Sequence, residues 1–225
     1  MTMTRLRFRP LWLLLSLTAA TVSATPSEPV AADWVLGKLA RPAPMRTAFV
    51  ELRGSRLLKA PLRLEGEYQR PSADTLVRDV RAPYLETTTI VTPKAGVGEV
   101  SIARPGKSTR RFALSRAPEL IGLQASFGAL LAGDRALLEQ HYRVVSSGTR
   151  AQWTLVLTPK DAALAAKVRD ITLRGRGAEL RCIETQTLAD GKPGELQRTL
   201  LAGAARDSTG ISDAPALAAL CHPAP

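Results

Sequence analysis

Asp79, Glu86 and Glu184 lie in stretches of alternating apolar and polar residues. Two such carboxyls facing across a cleft would supply what glycoside hydrolysis requires, one as acid and the other as base or nucleophile. Acids on exposed strand faces are also ordinary solvated charges, and no spacing converges these three. Ser126 sits in Gln124-Ala-Ser-Phe-Gly, which lacks the Gly-x-Ser-x-Gly elbow that lifts a nucleophile out of a sheet. The two histidines, His141 and His222, have no Asp and Ser placed to complete a triad and stand at no ligand spacing from a cysteine pair. Phosphate-loop, HExxH and GxGxxG patterns are missing. A non-enzyme is expected, with no metal and no cofactor.

The first residues carry an address. Arg5, Arg7 and Arg9, an apolar run over 11–17 and then Val22-Ser23-Ala24 form the three parts of a secretory signal, cut near Ala24. The apolar run is too short to span a bilayer, and no cysteine follows the expected cut. A soluble periplasmic protein starting at Thr25 is expected, with no nucleic acid as partner. In that oxidising compartment Cys182 and Cys221 are consistent with one disulfide. It would close a loop of roughly forty residues, contribute about 4 kcal/mol in the chain-entropy model and tie the C-terminal segment to the sheet. Two unrelated buried thiols are the other reading, because spacing alone does not make their Cβ atoms face each other.

The chain has 31 Lys and Arg against 20 Asp and Glu, a formal charge of +11, and three arginines and no acids leave with the signal. Such an excess fits anionic lipid head groups or an acidic protein partner. Arginines spread evenly over solvated strand faces would give the same total, and no block of like charges marks a basic tail.

Period-two alternation dominates the elements that would hold these residues. It recurs over 47–54, 61–70, 75–81, 84–92, 98–104, 110–116, 142–147, 152–158, 171–175, 179–188 and 195–202, with Gly-containing turns such as 147–148, 174–177 and 190–194 between neighbours. Helical period appears over 31–40, over 118–131 with a stripe of Leu120, Leu123, Phe127 and Leu130, over 159–168, and over 214–220. For the third of these, Thr158 is the expected cap, with Pro159 and Asp161 in the first turn. The mature chain, 25–225, is expected to be one domain with its core over 33–202 and a tail over 203–225. Its expected class is α+β, mainly β: one strongly curved antiparallel sheet of about eleven strands, an incomplete barrel closed by covering helices.

Leu39, Phe49 ten positions on, then Gly66 and Arg70-Pro71 closing the next strand resemble the N-terminal signature of the periplasmic outer-membrane lipoprotein carrier family, LolA. Trp153 to Pro159, a short helix, Asp170-Ile-Thr-Leu, and Glu184 to the Asp190-Gly191 pair resemble its second half. The chain departs from the family in having Ser72 to Asp79 where an aromatic pair is usual, no aromatic-flanked Asp-Gly turn near Arg81, and no closing Phe-x-Phe-x-Pro-Pro strand.

The resemblance implies an eleven-stranded half-barrel with a helical lid, whose hydrophobic cavity takes lipoprotein acyl chains from an inner-membrane exporter and passes them to an outer-membrane acceptor. It implies that Arg70 hydrogen-bonds across to the lid, that Leu39 on the first helix shares this contact, and that closure rests on hydrogen bonds rather than oily packing. Expected cavity residues are Leu39, Phe49, Leu64, Tyr68, Leu85, Ile102, Phe112, Leu155 and Leu173. A monomer is expected. The departures leave open another cargo, such as a glycolipid or a polyene lipid, and a lipid-sensing or scaffold module for an envelope partner is the alternative function.

Overall fold

The computed structural model describes residues 29–53, 61–92, 98–116, 130, 133–211 and 213–221. Its strands are β1 (Met45–Arg53), β2 (Leu62–Ser72), β3 (Thr75–Ala82), β4 (Glu86–Val91), β5 (Glu99–Ala103), β6 (Arg110–Ala113), β7 (Tyr142–Gly148), β8 (Trp153–Pro159), β9 (Val168–Arg176), β10 (Glu179–Ala189) and β11 (Lys192–Leu201). All eleven join one sheet in the order β6-β5-β4-β3-β2-β1-β11-β10-β9-β8-β7. Two antiparallel meanders therefore meet where the last strand returns to the first, with Phe49 opposite Leu201 and Leu52 opposite Arg198. The sheet stays open, and β6 and β7 are its edges among the described residues.

The hairpins follow from their turn residues. Ala189 pairs with Lys192 across Asp190-Gly191, both at positive φ (53° and 72°), the backbone of a two-residue turn whose twist matches the strands. The loop expected over 190–194 is thus two residues long.

Five α-helices are described: α1 (Ala32–Leu39), α2 (Arg135–His141), α3 (Ala162–Ala165), α4 (Ala202–Asp207) and α5 (Ala214–Ala219). The stripe expected over 118–131 lies outside the described residues except for Leu130, which is buried. The helix expected over 159–168 is a single turn. Pro159 ends β8 opposite Tyr142, and Asp161 is the cap, its carboxylate accepting from the Leu164 N–H at 2.9 Å. A proline at a strand end gives up only a donor that the sheet no longer needs, so β8 absorbs the residue expected to start the helix.

One helix organises the inner face. Val35, Leu36 and Leu39 of α1 are buried against Phe49, Leu64, Val80, Leu155, Leu157, Leu173, Ile183 and Leu201 in the main core. That core draws on eight strands, β3 through β1 and β11 to β7. Flat, eight strands would be about 34 Å wide at 4.8 Å per spacing, whereas eight helical residues span about 12 Å. Strands this far apart share one core with a short helix only if the sheet curves, as in a half-barrel.

The opposite face carries a second core. Val50 and Leu52 of β1, Cys182 and Leu200 pack beneath Ala204, Ala205 and Leu217 of the α4–α5 hairpin, with Cys221 bonded to Cys182. The segment expected as a tail is thus a helical cover. Arg63 holds it from the side, donating to the backbone carbonyls of Ile211 and Ser208.

Gly175 has no room for a side chain, since a Cβ there would lie 2.0 Å from the Trp153 ring and 2.5 Å from the Glu179 carbonyl oxygen. Trp153 is fixed by its own hydrogen bond to the Gly177 carbonyl at 2.9 Å and is almost wholly buried. Gly175→Ala is expected to cost about 1–3 kcal/mol by overpacking, read as a lowered urea midpoint with unchanged slope.

Candidate functional site

α1 lies across one end of the half-barrel and is tied down on both sides. Before it, the Val30 N–H donates to the Gly148 carbonyl at 3.0 Å and the Ser146 hydroxyl donates to the Val30 carbonyl at 2.9 Å, fastening it to β7. Beyond it, Arg70 at the end of β2 donates through Nη1 to the Arg41 carbonyl at 3.1 Å and through Nη2 to the Ala73 carbonyl at 3.4 Å. Arg41 itself donates to the Lys38 and Ala40 carbonyls at 2.9 and 2.8 Å, capping the C-terminal end of α1. Arg70 is half-buried rather than buried, so this latch is a solvent-facing bond to a carbonyl, worth about 1 kcal/mol. Each of the three buried apolar side chains of α1 gains about 1.5–3 kcal/mol from leaving water. In this structure α1 is therefore held mainly by apolar packing, with Arg70 adding a hydrogen bond at its far end.

Beside α1 is a cavity of about 320 Å³ lined by Leu39, Met45, Thr47, Leu130, Leu180 and Leu201 together with the charged Arg41, Arg46 and Glu179. The volume is at the small end for ligand pockets, about 300–1,000 Å³. Among the described residues, Val35, Leu36 and Leu39 of α1 occupy the inner face next to it.

Of the expected lining residues, Leu39, Phe49, Leu64, Leu155 and Leu173 are buried in the main core, with Tyr68 packed against it. Ile102 and Phe112 belong to a smaller cluster with Ile90, Val100 and Leu114 at the β6 edge. Leu85 is corrected: it precedes β4 in the bend after Pro83, is 56 % exposed and belongs to neither the cavity nor the core clusters among the described residues. The alternation read through 84–92 had placed it on the apolar face, but the strand starts only at Glu86.

An ion-pair chain on the inner face was not legible as such. Glu51, 7 % exposed in its side chain, receives Arg53 at 2.7 Å and Arg78 at 2.6 Å; Glu86 receives Arg104 at 2.5 Å and stands 3.9 Å from Arg78. Arg78 also lies over the Phe49 ring at 5.0 Å, and that ring meets Tyr68 at 4.7 Å. Burial, reinforced by the Glu51 carboxylate, pushes the Tyr68 hydroxyl up to about 12. The signal lay in register: Glu51 is two residues from Phe49, and Arg78 stands opposite Tyr68 between Leu76 and Val80.

The three acids considered for hydrolysis do not meet. Glu86 points inward, while Asp79 stands on the outer face bonded by Arg81 and Thr87. Glu184 lies on the outer face of β10 between Arg174 at 2.8 Å and Arg198 at 2.7 Å. Burial alone would raise the Glu184 carboxyl, but the two arginines outweigh it and hold it below the usual carboxylate range.

No curated protein matches the chain at a significant level. Among solved structures it is similar to the LolA superfamily protein NE2245 from Nitrosomonas europaea, at 12 % identity and a TM-score of 0.37, over 77 % of this chain and 91 % of that one. It is also similar to Rv2717c from M. tuberculosis, at 16 % identity and a TM-score of 0.32, over 78 % of this chain and 98 % of that one. Residues 24–224 match the family described as outer membrane lipoprotein carrier protein LolA-like, and the chain belongs to that family.

Proposed function

We propose that this protein is a periplasmic carrier that takes up the acyl chains of a lipoprotein or related lipid beneath α1 and moves them from an inner-membrane exporter to an outer-membrane acceptor. The observation that carries the reading is α1 itself: a short helix that seats Val35, Leu36 and Leu39 in the inner face, beside an apolar cavity, with Arg70 latching its far end. Family membership supports the lipid-binding class. An acyl chain can replace the contacts α1 gives up, gaining about 0.8 kcal/mol per buried methylene, so opening in the presence of cargo is nearly balanced while opening into water is not. The same exchange lets an acceptor draw the cargo out. The reading includes loss of 1–24 on export and action as a monomer over 25–225, by reversible binding without chemistry.

Native mass spectrometry with lipid extraction, on protein purified from the periplasm, tests this directly. A co-purified acylated molecule is expected; protein that is empty and also fails to bind a fluorescent fatty-acyl probe would overturn the reading. Arg70→Leu removes a bond made only with α1 closed. It is expected to tighten retention of the probe about fivefold, equivalent to the latch of about 1 kcal/mol, and to slow release to acceptor vesicles accordingly. Unchanged release would remove Arg70 from the lid role.

A further inference from the structure

Strand pairing brings the start of β1, the β2–β3, β7–β8 and β9–β10 turns and the end of β11 to the same end of the half-barrel, the end α1 crosses. Six cations gather there: Lys38, Arg41, Arg46, Arg70, Arg150 and Arg176. None is ion-paired among the described residues; the hydrogen bonds of Arg41 and Arg70 go to carbonyl oxygens, which leave the charge uncompensated. The acids at this end are already engaged: Asp33 pairs with Arg135 at 2.9 Å, and Glu99 stands 3.9 Å from Arg111. Asp74 accepts from the Ser72 and Thr75 hydroxyls, and Glu179 accepts from the Gly203 N–H and faces Arg181 at 3.5 Å. At the other end Arg53, Arg81, Arg104 and Arg169 are held by Glu51, Glu67, Asp79, Glu86 and Asp170, while Lys107, Arg110, Arg143, Lys160 and Lys192 have no ion pair among the described residues, so unpaired charge alone does not single out one end.

The pole that α1 crosses also carries an interfacial aromatic. Trp34 is half-buried on α1, with Lys38 5.9 Å and Arg150 5.6 Å from its ring centroid. A tryptophan flanked by long-stemmed cations suits the head-group layer, where the ring meets the apolar boundary and the charges reach phosphate. Arg41 and Arg46 line the apolar cavity at the same end.

We propose that this pole is a docking face for an anionic phospholipid bilayer, on which Lys38, Arg41, Arg46, Arg150 and Arg176 meet lipid phosphates and set the cavity mouth against the membrane. Several unpaired cations at the end where an apolar cavity carries Arg41 and Arg46, with a half-buried tryptophan beside Lys38 and Arg150, match a laterally continuous anionic surface with an apolar interior. The inference goes beyond the carrier reading and does not depend on which cargo the cavity holds, or on its holding one.

The test is co-sedimentation of the protein purified from the periplasm with vesicles of phosphatidylcholine alone and of equal parts phosphatidylcholine and phosphatidylglycerol. Binding is expected to the anionic vesicles and to fall steeply with added salt. At about fivefold per cation, the triple variant Lys38→Gln, Arg150→Gln, Arg176→Gln should lose about a hundredfold in partitioning. A matched variant at the opposite end, Lys107→Gln, Arg110→Gln, Lys192→Gln, removes the same charge from equally exposed positions and should bind within a few-fold of the parent. Equal losses in both variants would reduce the effect to net charge and overturn the docking face. So would failure of the parent to bind anionic vesicles, which would leave an acidic protein as the partner for this pole. Acyl-probe binding measured without vesicles reports on the carrier reading separately.

Discussion

Glu51→Ala should lower the unfolding free energy by about 3–5 kcal/mol, the cost of leaving buried arginine charge without its carboxylate. Glu51 is the hub of the inner-face chain: its side chain is 7 % exposed, and it binds Arg53 through one oxygen and Arg78 through the other. Arg78 is 16 % exposed and has no comparable substitute, because its contact with Glu86 is 3.9 Å long. An alanine would leave that guanidinium against the Phe49 ring and the Tyr68 hydroxyl in a site water reaches poorly. The control is Glu65→Ala on the outer face, 48 % exposed and paired with Arg63, where a loss within about 1 kcal/mol is expected. The double variant Glu51→Leu, Arg78→Leu should recover much of the loss, since removing both charges also removes their desolvation cost. Urea unfolding of all three, with midpoints compared at equal slope, gives the answer. A Glu51→Ala loss under 1 kcal/mol would mean that the pair is already solvated.

The same network shapes what the inner face can hold. Glu51, Arg78 and Glu86 lie on strands β1, β3 and β4, whereas the continuous apolar lining runs from Phe49 and Leu64 across β11 to β7. A chain taken up beneath α1 would follow the apolar side and end against the charged one. The half-barrel is therefore amphipathic in cross-section, a property that counting apolar residues per strand cannot reveal.

Much of the architecture was legible because antiparallel strands alternate and their turns need special backbone. Asp190-Gly191 marked a hairpin, and Leu62, Leu64 and Tyr68 set the inward face of β2. Alternation says which residues share a face but not what covers that face. In β1 the alternation over 47–54 does not say which side is buried, and both are: Phe49 points to the main core while Val50 and Leu52 lie under the α4–α5 hairpin. A strand covered on both faces has no polar side to set its phase. Of the hairpin, α5 was legible in the helical period over 214–220, but α4 was not: Ala202–Asp207 is one turn and a half, and Ala204 and Ala205 are buried by close approach to the sheet rather than by an apolar stripe. α2 was missed because Leu138 is its only fully buried side chain and Asp134, its cap, sits in an otherwise unremarkable loop. At the site, Arg70 and Leu39 were found through a family resemblance. The cationic pole was not found at all, since Lys38, Arg150 and Arg176 are brought together only by strand pairing.

Removing the bond between Cys182 and Cys221 is the other large effect expected. The two residues are 39 apart in sequence, with Cα atoms 5.4 Å apart, and the loop between them contains the end of β10, all of β11 and both helices of the outer cover. Closing a loop of this size restricts the unfolded chain by about 4 kcal/mol in the chain-entropy model. In the folded state the bond also fixes the end of α5 to the middle of β10, beneath which Leu200 and Leu217 are buried. Cys182→Ser with Cys221→Ser should therefore lower stability by about 3–4 kcal/mol and also loosen the cover locally. Hydrogen exchange distinguishes the two contributions. A purely unfolded-state effect would raise exchange only of amides that open in global unfolding, whereas a lost tether would expose the amides of Leu217, Leu220 and Cys221 ahead of β10 and β11. The second pattern is expected, because α5 is six residues long and buries one leucine fully, too little apolar surface to hold a free helix on the sheet. The inner face, α1 and acyl-probe binding should be unaffected, since the disulfide and the cavity are on opposite sides of the sheet. A stability loss under 1 kcal/mol, with α5 still protected, would show that the outer cover is held by Arg63 and its own packing instead.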